Sequence, residues 1–198
     1  MSILLPQPRL PQTATPKLLD FGADIVPPMG GAAQRLNRIG NRWALDIVYP
    51  RLRPEPDGRI LMACIRRAKT EGALFPFPQP GLAIGNPGTP MVDGAGQLGS
   101  ILNLRGFVPG YIVLEGQFFS IIYGGQRYLH AANADTAADG SGKMPLAIHP
   151  MLRISPNDGA VCEFAQPYIE GFLSGNEVAV ELAIARATPA TIVITERA

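Results

Sequence analysis

The sequence predicts a mainly β protein: a small β-sheet or sandwich carrying one α-helix, followed by a compact β-barrel-like module, with an extended proline-rich arm leading in. Three observations carry this expectation. Short apolar runs recur from Gln97 onward at intervals of about ten residues, separated by Gly, Asn, Asp or Pro, which is the spacing of barrels and sandwiches. Glycine and proline supply 22 and 20 of the 198 residues, with no collagen-like period and no long polar tract, so they read as turns and extended segments. One stretch alone has the periodicity of a good amphipathic helix.

The elements follow in order. In residues 1–17, Pro6, Pro8, Pro11 and Pro16 exclude a regular helix or a central strand. Leu4, Leu5 and Leu10 give this arm something to bury, and it is expected to dock on an adjacent subunit. Residues 18–80 are expected to form the first sheet. Within it AAQRLNRIG (32–40) reads as a strand, and RWALDIVYP (42–50) alternates, with Trp43, Leu45, Ile47 and Tyr49 on one face. The two are expected to pair over Gly40 and Asn41. The helix spans 57–71: Asp57 is the expected N-cap, Ile60, Leu61, Cys64, Ile65 and Ala68 form the apolar stripe, and Gly72 is the stop.

Residues 81–91, punctuated by Pro87 and Pro90, read as a connector. The barrel-like module is expected over 92–171, with AVCEFAQPYI (160–169) as one of its strands. The segment 172–198 is expected to return to the first sheet, because AVELAIA and TIVITE find no partner left in the barrel.

The clearest local signal is LEGQFFSIIYGGQRYLH, residues 114–130. Two apolar runs joined by Gly124 and Gly125 predict a hairpin with a type I′ or II′ turn. Tyr123 then faces Gln126, Ile121 faces Tyr128, and Phe119 faces His130. Phe119, Ile121, Tyr123, Gln126, Tyr128 and His130 share one face. Phe118, Ser120, Ile122, Arg127 and Leu129 share the other. Large apolar groups on both faces require a cover on each.

Seventeen basic and sixteen acidic residues leave a formal charge of +1, with no block of one sign, which argues against a dedicated nucleic-acid binder. Cys64 and Cys162 sit in apolar runs and read as small buried hydrophobes. No apolar run approaches the ~20 residues of a membrane span. The opening residues lack a basic signal-peptide region, so the chain is expected to be made and kept in the cytoplasm.

Residues 94–99 match G-x-G-x-x-G, but a strand-like run follows where a dinucleotide site needs a helix. ADGSGK (138–143) lacks the first glycine and the final hydroxyl of a phosphate loop. His130 and His149 each fall near a strand end and read as hydrogen-bonded structural histidines. No catalytic, cofactor-binding or metal-ligating residue is assigned, and no enzymatic activity is expected.

NRIGNRWALDI (37–47), LRGFVPGYIVLEGQFFSI (104–121), RYLHAANADTAADGSGKMPLAIHPMLR (127–153) and ATIVITE (190–196) resemble, in that order, segments of distal-tail and baseplate proteins of long-tailed bacteriophages. A departure is Gln117, where the family pattern often has Asp at a turn. The resemblance implies a structural virion protein that forms a hexameric ring at the tail tip. Such a ring joins the tail tube protein to hub, baseplate and host-recognition parts, and DNA passes through without specific binding. Leu4, Leu5, Leu10, Phe119, Tyr123 and Tyr128 are the candidate assembly contacts. Two alternatives remain open: another tail component (hub, tube or tail-completion protein), or a carbohydrate-binding module using exposed Phe119, Tyr123 and Tyr128.

Overall fold

The computed structural model describes residues 2–7, 11–175, 180–182, 187–189 and 191–197. The fold is mainly β, with one α-helix among the described residues. In chain order the strands begin with β1 (Ile3–Leu4), β2 (Thr13–Leu19), β3 (Ala23–Ile25), β4 (Gln34–Leu36) and β5 (Arg42–Val48). Helix α1 (Arg59–Glu71) precedes β6 (Ala73–Pro76), β7 (Gly88–Val92), β8 (Gly99–Phe107), β9 (Ile112–Val113), β10 (Phe118–Tyr123) and β11 (Gln126–Ala132). The chain continues through β12 (Thr136–Ala137), β13 (Met144–Leu152), β14 (Cys162–Glu163) and β15 (Tyr168–Leu173). It ends with β16 (Val180–Leu182), β17 (Ala187–Pro189) and β18 (Ile192–Glu196).

Six strands form the first sheet in the order β1-β6-β15-β18-β5-β2. Alternation in β5 and β18 brings Leu45 opposite Ile194 and Ile47 opposite Ile192, all on one buried face. Leu61, Ile65 and Ala68 of α1 cover that face, and Leu129 of β11 joins the same core. The helical stripe is therefore narrower than its sequence suggests: Ile60 stays exposed and Cys64 is half-buried. Asp57 does not cap the helix. It lies in a separate turn (Pro54–Gly58), and Gly58 takes the N-cap position without a side-chain bond. Gly72 ends the helix as expected, with φ 98° and its N–H donating to the Ala68 carbonyl.

The second sheet runs β14-β10-β11-β13-β8-β7 and curls until Met91 of β7 bridges Val161 beside β14, so six strands nearly close into a barrel. Its interior is packed with side chains. Phe119 stacks on Phe164 at 4.5 Å between centroids, and Phe107 meets Phe164 edge-on. Leu102, Leu104, Leu146 and Ile148 complete the core.

The β10–β11 hairpin has the register read from the sequence, Tyr123 opposite Gln126 through Phe119 opposite His130. Gly124 and Gly125 both have positive φ, 59° and 77°, the geometry of a type I′ turn. The cover on its second face comes from its own chain: Phe118 and Leu129 pack into the core of the first sheet. This hairpin is the wall shared by the two sheets.

Four further sequence expectations are corrected. The arm lies on its own chain in its described parts. β1 pairs in parallel with β6, β2 pairs with β5, and Leu5 is 1% exposed in the first core. Pro16 is tolerated in β2 because only one side of an edge strand must hydrogen-bond. The pairing over Gly40 and Asn41 does not form. β4 pairs back with β3 across a bend at 27–30, while β5 is occupied on both sides by β2 and β18. AVCEFAQPYI is divided between the sheets, β14 in the barrel and β15 in the first sheet, with Pro167 between them. The connector is shorter than expected, because Gly88–Val92 is a barrel strand. Ala73–Pro76 is an inner strand of the first sheet.

Candidate interaction surface

Two surface features stand out, and both arise next to β2. The first is an apolar groove of about 630 Å³. One wall is the outer strand of the first sheet (Pro11, Thr13, Ala14, Pro16), another is the proline-rich stretch through Phe77, Pro80 and Leu82, and the third is the turn entering β10. Gln79 fixes its floor. Its Oε1 accepts from the Phe118 N–H at 2.6 Å and its Nε2 donates to the Phe118 carbonyl at 3.3 Å, as a neighbouring strand would. Phe77 and Phe118 rings then meet at 4.3 Å. Gln117 is buried and holds the turn through the Leu114 N–H and the Tyr111 hydroxyl. With the Gln79 and Gln117 amides engaged, the groove presents mainly apolar surface. Glu115 is its one charged lining residue, and it forms no ion pair among the described residues.

The second feature is the β3–β4 ribbon, residues 20–41. All of 20–40 is exposed apart from half-buried Gly22, Ala23 and Pro27. The strand period makes it two-faced. Asp24 lies opposite Arg35 and pairs with it at 2.8 Å, while Ala23, Ile25 and Leu36 fall on the opposite face. Arg35 also binds Asp20. Ile25, Val26 and Met29 are exposed by 54%, 68% and 95%. The ribbon thus exposes several large apolar side chains together.

The polar interior is of another kind. Glu196 of β18 accepts from the Trp43 N–H at 2.8 Å, the Leu129 N–H at 2.7 Å and Arg153 at 3.0 Å, tying both sheets to one carboxylate. Burial pushes its carboxyl up, against the pull of Arg153 and the two N–H donors. Glu170 works the same seam, accepting from Ser2 at 2.6 Å and from the Arg127 N–H at 3.0 Å. Arg127 also binds Glu163 at 2.9 Å, and Ser120 donates to that carboxylate at 2.6 Å. All three carboxylates are engaged by other parts of the same chain, so the network fastens the sheets together, although Nε and Nη1 of Arg153 are buried without a partner. Sequence reading missed it. The available signal was a carboxylate, Glu196, in phase with Ile192 and Ile194 on a buried face.

The expected site residues separate accordingly. Leu4 is exposed on the edge strand β1, whereas Leu5 is core. Leu10 lies outside the described residues. Phe119 and Tyr128 are buried, at 0% and 8% exposure, because their face turns into the barrel, so neither is a surface contact. Tyr123 is half-buried beside the turn. The aromatic face required by a carbohydrate-binding module is thus interior at two of its three positions. His130 is buried against Phe119, and its Nδ1 donates to the Pro150 carbonyl at 2.8 Å. Residues 94–99 form a loop running into strand β8, with Asp93 beside it held below the ordinary carboxylate range by Lys143 and Arg105. Asp139 caps the N–H groups of Lys143 and Ser141 in a tight turn.

Cys162 is buried and Cys64 half-buried, both as free thiols. No group of three or more His, Cys, Asp or Glu side chains suited to a metal ion occurs among the described residues, and none of their helices is long and apolar enough to cross a membrane. No protein-family model and no curated protein matches the chain.

Proposed function

We propose that this chain is a structural virion protein that forms a ring at the distal end of a long phage tail. In this reading the ring joins the tail tube to the hub, baseplate and host-recognition parts. The observation that carries the reading is the ordered resemblance of segments 37–47, 104–121, 127–153 and 190–196 to distal-tail proteins. Those segments fall on β5 and β18 of the first sheet and on all or part of β8, β10, β11 and β13 of the second.

Two further features support it. The exposed apolar ribbon and the apolar groove are surfaces that an isolated subunit leaves uncovered and an assembly buries. A formal charge of +1 suits a channel through which DNA slides without being gripped.

Electron microscopy of the purified full chain is the test. Six-fold rings with an open centre are the expected particles. Three-fold particles would reassign the chain to a hub, and stacked tubes to the tail tube. A protein that stays monomeric throughout the micromolar range would sink the ring reading.

A further inference from the structure

Resting on the ring reading, we propose that the β3–β4 ribbon of one copy seats in the apolar groove of the next copy, with Arg38 of the ribbon against Glu115 at the groove rim. The occupant is a second copy of this chain, and the contact is heterologous: ribbon on one side, groove on the other.

Three observations select this occupant. The first is apolar complementarity within one molecule. Ile25, Val26, Met29 and Leu36 are exposed on the ribbon, and the groove walls are Pro11, Ala14, Pro16, Phe77, Pro80 and Leu82. The second is charge. Asp20, Asp24 and Arg35 satisfy one another, which leaves Arg38 as the ribbon cation with no ion pair among the described residues. Glu115 is the single charged group lining the groove and is likewise unpaired among them. One free cation thus meets one free carboxylate.

The third is geometry. From Asp20 to its tip the ribbon has some ten residues, a reach of roughly 30 Å at the rise of an extended chain. A folded chain of this length has a radius of gyration of only about 16 Å, so the ribbon can span onto a neighbour. Pro16 supplies no N–H donor to the free edge of β2, which disfavours continuous strand addition there and leaves side-chain docking as the means of binding. The amides of Gln79 and Gln117 are spent within the chain, so the groove offers an occupant mainly apolar surface. Because ribbon and groove are different patches, repeating the contact adds subunits by rotation and closes when the rotation divides a full turn.

Native mass spectrometry on the full chain tests this, with circular dichroism and thermal melts confirming that each variant folds. The ribbon variant Ile25→Asp/Val26→Asp and the groove variant Leu82→Asp should each abolish rings. An equimolar mixture of the two retains one intact ribbon and one intact groove, and should give dimers and nothing larger. Arg38→Glu and Glu115→Arg should each weaken assembly roughly tenfold, and combining them in one chain should restore it. If the wild type forms rings and the folded ribbon variant forms them equally well, the contact is wrong while the ring reading stands. If the mixture rebuilds rings, or the double charge reversal fails to restore assembly, the heterologous pairing is wrong. A monomeric wild type removes both readings together.

Discussion

Arg153 and Glu196 meet at 3.0 Å in the seam between the two sheets, with 6% and 1% of their side chains exposed. The carboxylate also takes the N–H groups of Trp43 and Leu129, so one side chain serves strands from both sheets. Arg153 lies over the Tyr128 ring, 5.4 Å from its centroid. Removing one partner of such a pair leaves a buried charge without compensation. Arg153→Met should therefore cost about 3–5 kcal/mol. Arg153→Met combined with Glu196→Gln should cost less than the two single changes added, since the second removes the stranded charge. Urea denaturation of the four proteins measures the coupling, and simple additivity would show that the pair does not fasten the sheets.

His130 makes acid destabilisation a specific expectation. Burial, acting against the hydrogen bond to the Pro150 carbonyl, lowers its pKa from 6.5 to about 3. The unfolded chain therefore takes up the proton first as the pH falls. Stability present above pH 6.5 is lost progressively between 6.5 and about 3, by an amount on the order of 5 kcal/mol for this group. His130→Gln keeps a donor for Pro150 and cannot charge. Its urea midpoint should fall less between pH 7 and pH 4 than that of the wild type, and an equal fall would place the acid sensitivity elsewhere.

Deleting residues 1–17 should damage the fold itself, whereas an arm docked on an adjacent subunit would leave the monomer intact. The deletion removes β1, most of β2 and the buried Leu5. Leu5→Ala alone should cost about 2–5 kcal/mol. A truncated chain with an unchanged melting temperature would show that these edge strands contribute nothing.

Gly171 sits where β15 faces β18, and a Cβ there would collide with the Thr195 carbonyl. Gly171→Ala must push the two strands apart and should cost at least about 1–3 kcal/mol, the range for overpacked interiors. Thermal melts measure it. The comparison is Gly81→Ala at an open loop, where no atom stands within 4 Å of the added carbon and only the positive φ of 80° is strained. An equal loss in the two would mean that the crowding at Gly171 has no energetic weight.

The features legible in the sequence were those set by neighbouring residues. Alternation in 42–49 placed Leu45, Ile47 and Tyr49 on the buried face, where all three have 0% exposure. The glycine pair fixed the turn and hence the register from Tyr123–Gln126 to Phe119–His130. The two apolar faces of that hairpin required two covers, and the second proved to be the sheet holding Leu45 and Ile47.

What escaped was decided at a distance. Ile3 finds Ala73, and Thr13 finds Val48, through pairings that no local period encodes. Pro167 reads like any turn proline, yet it marks where the chain leaves one sheet for the other. The groove was illegible for the same reason, because its walls come from three stretches far apart in sequence. The ribbon was half legible. Its bend was visible in Pro27, Pro28, Gly30 and Gly31, but its partner strand was misjudged because AAQRLNRIG fits either neighbour equally well by pattern.

The position of β18 has a consequence for biosynthesis. This strand lies between β5 and β15, with Ile192 opposite Ile47. On the ribosome, every strand of the barrel from β7 to β14 is synthesised before β18. Until β18 is made, β5 has one edge open and the first sheet is split between β2-β5 and β1-β6-β15. A ribosome stalled before residue 192 would leave that edge of β5 available to chaperones or to the wrong strand.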